Sequence, residues 1–449
     1  MPKKDNESYL NYKKRVIDPV SDSFCGAKWL NTTIWLTNGK TASCHHPLHH
    51  SIPLEEVEKN PAALHNTTFK KIKRLQMLKG IRPTECEYCW RIEDMGPDFV
   101  SDRVFKTVIY SDDDLKQLAN LPWTADVIPK TMELAFDRAC NFACAYCNAS
   151  FSTQWEKDIK KNGPYENLGN KNHYLAFNAA SDMLDPDNNP YIDAFWKWWP
   201  ELTLELEELR LTGGEPLLSQ QTWKLLDYFE KHPETKMRLA INSNLGLKLN
   251  YMEKLAEKSQ YVKDLHLYTS LESFGKEAEY ARDGLNFSEW QSNVEYLVTH
   301  AKLSSLNIMM TVNVLSVFST VEFLEWLKEF KSRHGRGMGV ISVNILRIPD
   351  FLNITTLPDH ILFEYQEKLV RWYRANETSE LFVDFELESI RRLIDYITEV
   401  TQPMHNYQPR ADRMVYFKRF ILEFDRRRQK SYKDVFPAIF SDWLESVPK

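Results

Sequence analysis

Three cysteines on one short loop constrain this chain more than any other feature of its sequence. Cys140, Cys144 and Cys147 stand in the stretch CNFACAYC, with Tyr146 directly before the last cysteine. A structural zinc ion takes four protein ligands, whereas three thiolates on one loop leave a ligand position open. Clustered thiolates also bind iron–sulfur clusters. The loop therefore predicts a catalytic metal centre, with a zinc site or buried free cysteines as the alternatives.

The residues before this loop have the pattern of a β-strand. Residues 131–136 (TMELAF) alternate in hydrophobicity, so that Met132, Leu134 and Phe136 share one face. The cysteine loop then follows the C-terminal end of a strand, where α/β barrels carry their active-site loops.

Strand and helix patterns alternate through the middle of the chain. Further strand-like runs cover residues 208–212, 236–242, 264–270, 307–314 and 340–348. Amphipathic stretches lie between them; one begins at Ser219 and another at Ser288, which forms a capping-box pattern with Gln291. This alternation predicts a parallel sheet with right-handed crossovers, followed from Leu357 by helices.

The second predicted strand runs into the sequence TGGEP. Gly213 and Gly214 permit close backbone approach, and Glu215 can accept hydrogen bonds from an ammonium group. An ordinary tight turn is the alternative interpretation of these residues.

Two later strands also end in polar residues. Asn244 follows the third strand, and Ser270 ends the fourth, with Arg282 twelve residues beyond it. A hydroxyl can bind a ribose, and a guanidinium matches a carboxylate. A helix cap and a surface ion pair are the alternative roles for Ser270 and Arg282.

The cysteine loop, with its aromatic residue, resembles the signature of the radical S-adenosylmethionine (SAM) enzymes. The resemblance implies that Cys140, Cys144 and Cys147 bind three irons of a [4Fe-4S] cluster and that SAM chelates the fourth iron. The six strand–helix units resemble the partial (β/α)6 TIM-like barrel of that family, which is an α/β fold.

The same resemblance assigns residues to SAM binding. The GGEP turn, about 65 residues after the cysteine loop, resembles the family motif that receives the amino group of SAM. Ser270 and Arg282 resemble the pair that contacts the ribose and the carboxylate. The residues expected to hold SAM are Tyr146, Gly213, Gly214, Glu215, Asn244, Ser270 and Arg282.

The other four cysteines precede the loop: Cys25, Cys44, Cys86 and Cys89. The first two flank a predicted hairpin with an Asn-Gly turn, and a helix near residues 64–78 leads to the Cys-x2-Cys pair. This layout resembles the twitch domain, a short form of the SPASM extension that holds one auxiliary [4Fe-4S] cluster. Here it precedes the catalytic core, whereas the extension usually follows it. A four-cysteine zinc ribbon is the alternative.

A histidine tract lies beside Cys44. It contains His45, His46, His49 and His50, which are potential metal ligands. Such a tract is more often an exposed loop.

These patterns predict four segments and two clusters. Residues 1–24 form an N-terminal segment, 25–110 a twitch-like domain, 125–355 the partial-barrel core and 356–449 a helical extension. The expected cofactors are a catalytic [4Fe-4S] cluster, an auxiliary [4Fe-4S] cluster and SAM.

Composition limits the partners and the compartment. The chain of 449 residues has a net charge of −6, so its surface as a whole is not a nucleic-acid footprint. It lacks an 18-residue apolar run and an evident signal peptide. Seven cysteines, an odd number, suit a reducing compartment, and the expected location is the cytoplasm. Membranes and nucleic acids are not expected partners.

The expected reaction is reductive cleavage of SAM to a 5′-deoxyadenosyl radical that abstracts hydrogen from a substrate. The resemblance favours a peptide or protein substrate and a reductant such as flavodoxin or ferredoxin. The alternatives are a small molecule (a sugar, amino acid or nucleoside derivative) and, in another class, a zinc-binding interaction protein without catalysis.

Overall fold

Six strands alternate with helices along the chain, as the sequence pattern predicts. Each lies within three residues of its predicted bounds: Thr131–Ala135, Glu208–Thr212, Arg238–Asn242, Asp264–Ser270, Ser305–Val312 and Met338–Ile345. The first two pair in parallel, and so do the last three. The α/β fold class is confirmed: the chain carries the strand–helix repeats of a partial (β/α)6 barrel and a helical C-terminal part.

The computed structural model describes residues 6–168, 183–402 and 410–448. The chain divides into two units. The first comprises Met1–Asp137, Asp182–Gly213 and Thr235–Leu239, and the second Arg138–Ser181, Gly214–Glu234 and Ala240–Lys449. In these described ranges, no helix is both long and apolar enough to cross a bilayer.

A hairpin opens the sheet of the first unit. Asn31–Trp35 pairs antiparallel with Lys40–Ala42, which confirms the predicted hairpin, and Lys40–Ala42 pairs with His50–Ser51. Gly39 at the turn has φ +59°, and a Cβ there would lie 2.2 Å from the ring of Tyr191. Glycine is therefore required at this turn, both for conformation and for space.

Asn31–Trp35 also pairs in parallel with Thr131–Ala135, so the hairpin extends the sheet of the first core strands. Helices cover this sheet. Those of the first unit are Tyr9–Tyr12, Lys13–Ile17 (a π-helix), Ala27–Leu30, Leu54–Lys59, Thr68–Leu78, Glu87–Glu93, Asp102–Thr107, Asp112–Asn120 and Pro190–Glu205, with short 3-10 turns at Pro61–Leu64, Thr84–Cys86 and Pro186–Asn188. Their apolar faces build a core around Trp29, Leu30, Met77 and Trp90.

The strands of the second unit alternate between a buried and a half-buried face. In Asp264–Ser270, Leu265 and Leu267 are buried, whereas Ser270 is on the less buried face. Ser270 lies opposite Met309 of the neighbouring strand, which faces the same way. The period of two in the sequence thus places Ser270 on the accessible face of the sheet.

Ten helices of seven to nineteen residues accompany these strands in the described part of the second unit. They are Thr153–Asn162, Gln220–Lys231, Leu249–Ser259, Gly275–Ala281, Phe287–His300, Thr320–His334, Asp359–Asn376, Asp384–Val400, Arg410–Arg428 and Ala438–Ser446. Short 3-10 turns lie at Pro216–Leu218, Asp350–Leu352, Ile354–Thr356 and Tyr432–Asp434, and two-residue strands at Ala143–Cys144 and Arg282–Asp283.

The predicted capping box at Ser288 is wrong. The helix begins at Phe287, and its N-cap is Asn286, whose side chain accepts a hydrogen bond from the backbone N–H of Glu289. Ser288 lies in the first turn and donates its hydroxyl to Asn286. Both residue types are good N-caps, and in the structure Asn286, two positions earlier, takes this role.

A buried ion pair fixes the helix Asp384–Val400 to the rest of its unit. The side chains of Lys331 and Glu386 are fully buried and 3.1 Å apart. Glu386 also accepts hydrogen bonds from the backbone N–H groups of Ile341 and Val383. Burial raises the pKa of Glu386 and lowers that of Lys331, although each partner opposes the shift of the other.

Replacing Lys331 with Met should lower the free energy of unfolding by about 3–5 kcal/mol, because Glu386 would remain buried without its cation. Chemical denaturation measures this change. The control Lys368→Met breaks the more exposed pair with Glu364 and should cost less than about 1 kcal/mol. Equal losses in the two variants would contradict this account of the buried pair.

Candidate functional site

Backbone hydrogen bonds hold the cysteine loop of the second unit in a defined shape. Ala143–Cys144 pairs antiparallel with Arg282–Asp283, and Cys144 stands opposite Arg282. The backbone N–H of Cys147 donates to the carbonyl of Cys144 at 2.9 Å, and the indole of Trp155 donates to the same carbonyl. The loop therefore presents its three cysteines from a braced backbone.

The three thiols of this loop are close enough to influence one another electrostatically. Burial, and next the charge on Cys144, raises the pKa of Cys140 to about 12. The same two causes raise the pKa of Cys147. Burial is the largest cause of the raised pKa values, so the surroundings of these thiols disfavour their ionisation.

The turn after Glu208–Thr212 packs against the backbone that precedes Cys140. Gly213 has φ +119°, and a Cβ there would lie 2.4 Å from the carbonyl oxygen of Asp137. A Cβ on Gly214 would lie 2.4 Å from the carbonyl oxygen of Ala139. Both glycines are therefore required for close backbone approach, as the sequence predicts.

Glu215 ties this turn to the end of the third strand. Its carboxylate is buried and accepts hydrogen bonds from Leu217 N–H at 3.0 Å, the Ser243 hydroxyl at 2.8 Å and Asn244 N–H at 2.6 Å. Burial raises the pKa of Glu215 to about 7, although these three donors favour the ionised form. Glu215 thus braces the turn from within.

Asn244 connects the same strand end to the cysteine loop. Its side-chain amide donates to Asn141 at 2.8 Å and points at the sulfur of Cys140, 4.0 Å away. Its carbonyl oxygen accepts from the backbone of Gly246 at 2.8 Å. The Asn244 side chain is therefore fixed beside one of the three thiols.

Arg282 lies beside a second thiol and belongs to a buried network. One nitrogen of its guanidinium is 2.6 Å from Glu272, and another lies 4.0 Å from the sulfur of Cys144. Glu272 is fully buried and also accepts the hydroxyl of Tyr146 at 2.9 Å. Burial disfavours the guanidinium, but Glu272, Tyr146 and Cys144 outweigh it and raise the pKa of Arg282.

Sequence reasoning did not select Glu272, the acid that joins Arg282 to Tyr146. The only available signal was a carboxylate two residues after Ser270, at a strand end. Within the part of the chain that the structure describes, the buried Nε of Arg282 has no hydrogen-bond partner. An acceptor from a ligand would satisfy this donor.

The remaining four cysteines meet in one pocket of the first unit. Its walls include Cys25, Cys44, Cys86 and Cys89. The last two are three residues apart at the start of helix Glu87–Glu93, so they lie on the same side of it. The hairpin and this helix thus bring together the four thiols that the sequence pattern groups.

The four thiols also interact electrostatically. Burial raises the pKa of Cys25, and the charge on Cys44 raises it further. Burial, followed by the charge on Cys25, raises the pKa of Cys89 to about 12. As at the first site, ionisation of these thiols requires positive charge nearby.

One group of potential metal ligands lies beside the four-cysteine pocket. Within the described residues, His45, His46 and Asp102 have their ligand atoms within 4.8 Å of one another.

The histidine tract has partners of its own. His46 stacks on Tyr88 with ring centroids 3.8 Å apart, and its Nε2 is 2.6 Å from Asp102. His45 lies 3.7 Å from the same carboxylate and is largely exposed. His50 contacts the hydroxyl of Thr67 instead. The tract is thus divided between different partners.

Comparison with known proteins finds similarity in structure. No family model matches the chain, and no curated protein matches its sequence. Among solved structures, anSMEcpe with bound AdoMet aligns at 15% identity and a TM-score of 0.36, over 56% of this chain and 63% of that chain. The aligned part thus spans less than two thirds of that enzyme.

Two further solved structures also align with this chain at low sequence identity. SuiB of Streptococcus suis bound to S-adenosylmethionine aligns at 13% identity and a TM-score of 0.39, over 81% of this chain and 72% of that chain. TYW1 with a lysine-pyruvate adduct aligns at 11% identity and a TM-score of 0.29, over 53% of this chain and 72% of that chain. All three are radical SAM enzymes, the superfamily that the cysteine motif resembles. At these identities the alignments concern the fold alone.

Replacing Gly214 with Ala should displace the backbone before Cys140, because the new Cβ would overlap two carbonyl oxygens. The expected result is a loss of about 1–3 kcal/mol in the free energy of unfolding. Chemical denaturation measures this loss. The control Gly337→Ala adds a methyl group where nothing lies within 4 Å and should leave the stability unchanged. Wild-type stability of Gly214→Ala would contradict the close-packing argument.

Replacing Glu272 with Gln should leave the Arg282 guanidinium buried without an anion. We expect the free energy of unfolding to fall by about 3–5 kcal/mol. Chemical denaturation measures this change. Glu257→Gln, an exposed change of the same kind, serves as the control. Wild-type stability of Glu272→Gln would contradict this account of the buried network.

Proposed function

We propose that this protein is a radical SAM enzyme in which Cys140, Cys144 and Cys147 bind a [4Fe-4S] cluster. The observation that carries the proposal is the surroundings of these thiols. N–H groups of Asn244 and Arg282 point at the sulfurs of Cys140 and Cys144, each at 4.0 Å. Such donors favour the thiolate form and tune clusters that thiolates hold.

When bound and reduced, such a cluster supplies the electron that cleaves SAM into methionine and a 5′-deoxyadenosyl radical. The protein's own residues would bind and orient SAM. The buried Nε of Arg282 offers a donor to the SAM carboxylate, and Ser270, on the accessible strand face, offers a hydroxyl to the ribose.

The glycine turn would receive the amino group of SAM. Gly213 and Gly214 let the turn pack against the backbone that precedes Cys140, which would bring the turn beside SAM bound at the cysteine loop. Glu215 holds the turn in shape, and a carboxylate oxygen has capacity for more than one donor, so Glu215 can also accept the ammonium. Tyr146 and Asn244 complete the set of SAM contacts in this proposal.

For the first unit, we propose an auxiliary [4Fe-4S] cluster bound by Cys25, Cys44, Cys86 and Cys89, in a twitch-like domain spanning residues 25–110. Support comes from the four thiols that line one pocket. A core at 125–355 and a helical extension at 356–449 complete the proposed domain organisation.

The proposed substrate is a peptide or protein, and a small molecule is the alternative. The proposal follows from the resemblance of the four-cysteine segment to twitch and SPASM enzymes, many of which modify peptides. SuiB is described in complex with a precursor peptide, which makes peptides sensible first probes. A flavodoxin or ferredoxin in the cytoplasm, where thiols stay reduced, would supply the electron.

Anaerobic reconstitution followed by incubation with SAM and dithionite tests the function. Wild-type protein should contain about eight irons per chain, from two four-iron clusters, and should produce 5′-deoxyadenosine detectable by mass spectrometry. Cys144→Ala should abolish this product. A colourless zinc protein, or a Cys144→Ala variant that still cleaves SAM, would refute the proposal.

The matched variant Cys86→Ala separates the two clusters. It should reduce iron to about four per chain, because one four-iron cluster is lost, while the cysteine loop keeps its own ligands. If Cys86→Ala retained all its iron, the assignment of an auxiliary cluster would be contradicted. The assignment of the cluster to the cysteine loop would be unaffected.

A further inference from the structure

Two buried cations lie in the wall of the four-cysteine pocket. Lys28 and Arg103 both line it, and their exposed fractions are 4% and 2%. Lysine and arginine are almost never this buried unless they are paired. Both buried charges therefore need partners within the protein.

Carboxylates next to the pocket hold both cations in place. Lys28 Nζ lies 3.0 Å from Glu85, the residue before Cys86. Arg103 Nε lies 2.6 Å from Glu93, and another of its nitrogens donates to the carbonyl of Phe24, the residue before Cys25. Each cation is thus anchored to a segment that carries a cysteine.

The arrangement of charge around the pocket is asymmetric. The pocket wall contains these two buried cations and the less buried Lys106, whereas Glu85 and Glu93 are not part of it. The charged groups that line the pocket are therefore cationic, although the Lys28–Glu85 and Arg103–Glu93 pairs as wholes are neutral. The positive charge of Lys28 opposes the rise that burial causes in the pKa of Cys86.

A cluster with four thiolate ligands is an anion, and one-electron reduction makes it more negative. A fixed cation at the sulfurs stabilises the reduced form more than the oxidised form, and burial strengthens the effect because water screens it less. Zinc does not change its redox state, so a nearby cation could not stabilise a reduced form of a zinc site.

We propose that Lys28 and Arg103 raise the reduction potential of the auxiliary cluster by stabilising its reduced form. One electron enters the cluster from an external low-potential donor, and no bond is formed or broken. This inference rests on the proposed function in one respect, namely that the pocket holds an iron–sulfur cluster. It makes the auxiliary centre a redox centre rather than only a structural brace.

The test uses the full chain with Cys140, Cys144 and Cys147 all changed to Ala, so that only the auxiliary cluster remains. A potentiometric titration with dithionite, followed by electron paramagnetic resonance, gives the reduction potential. In this background Lys28→Met should reduce the equilibrium constant for cluster reduction at least tenfold, which is a shift of about 59 mV to more negative potential. Lys28→Arg should restore most of the potential, because it restores the charge.

Lys73→Met is the matched control. Lys73 lies 3.5 Å from the same Glu85 but is not part of the pocket wall. Its loss should shift the potential by less than half as much. An equal shift in Lys73→Met, or an unchanged potential in Lys28→Met, would overturn the inference.

A second variant covers the case in which Lys28→Met does not assemble the cluster. Lys28→Met combined with Glu85→Gln removes the ion pair as a unit and should give a smaller shift of the same sign, because Lys28 is closer to the pocket. No shift in this double variant would also overturn the inference. If the parent protein holds zinc and no iron, the auxiliary-cluster assignment itself fails, and this result is distinct from an unchanged potential.

Discussion

The close contact between the backbone of Gly214 and the carbonyl groups before Cys140 is the constraint on which the candidate SAM site depends. The N–H of Glu215 donates to the carbonyl of Ala139 at 2.6 Å, so the turn and the start of the cysteine loop run side by side. From this contact the Glu215 carboxylate reaches Asn244, and Asn244 reaches the thiol of Cys140. One continuous set of contacts therefore positions the turn, the strand end and the cysteine loop.

In both units a buried cation lies beside a group of cysteines and compensates the negative charge that their thiolates would carry. Each group of cysteines is buried enough to raise the pKa of its thiols, and each has a buried cation near a sulfur: Arg282 in one unit, Lys28 in the other. Each cation is in turn held by a buried or half-buried carboxylate. Metal-bound thiolates carry negative charge into a region of low dielectric, and fixed cations reduce the cost of doing so.

The sequence predicts those features that depend on local pattern. Strands appear within three residues of their expected positions because alternation is set by neighbours in the chain, and the hairpin follows from its Asn-Gly turn. The helix start at Ser288 was misplaced because Asn286 competes for the same role. Glu272 and Lys28 could not be selected, since their meaning depends on partners that are distant in sequence: Tyr146 lies 126 residues from Glu272, and Glu85 lies 57 from Lys28.

The parallel pairing of Asn31–Trp35 with Thr131–Ala135 has a consequence for biosynthesis. Thr131 bonds to Asn31 across 100 residues of chain. The N-terminal hairpin therefore leaves the ribosome well before its partner strand, and one edge stays unpaired in the interval. Pairings at this separation form slowly, and exposed strand edges favour aggregation. The sheet of the first unit therefore stays incomplete until Thr131–Ala135 has been synthesised. In this interval a chaperone or rapid translation would protect the nascent chain.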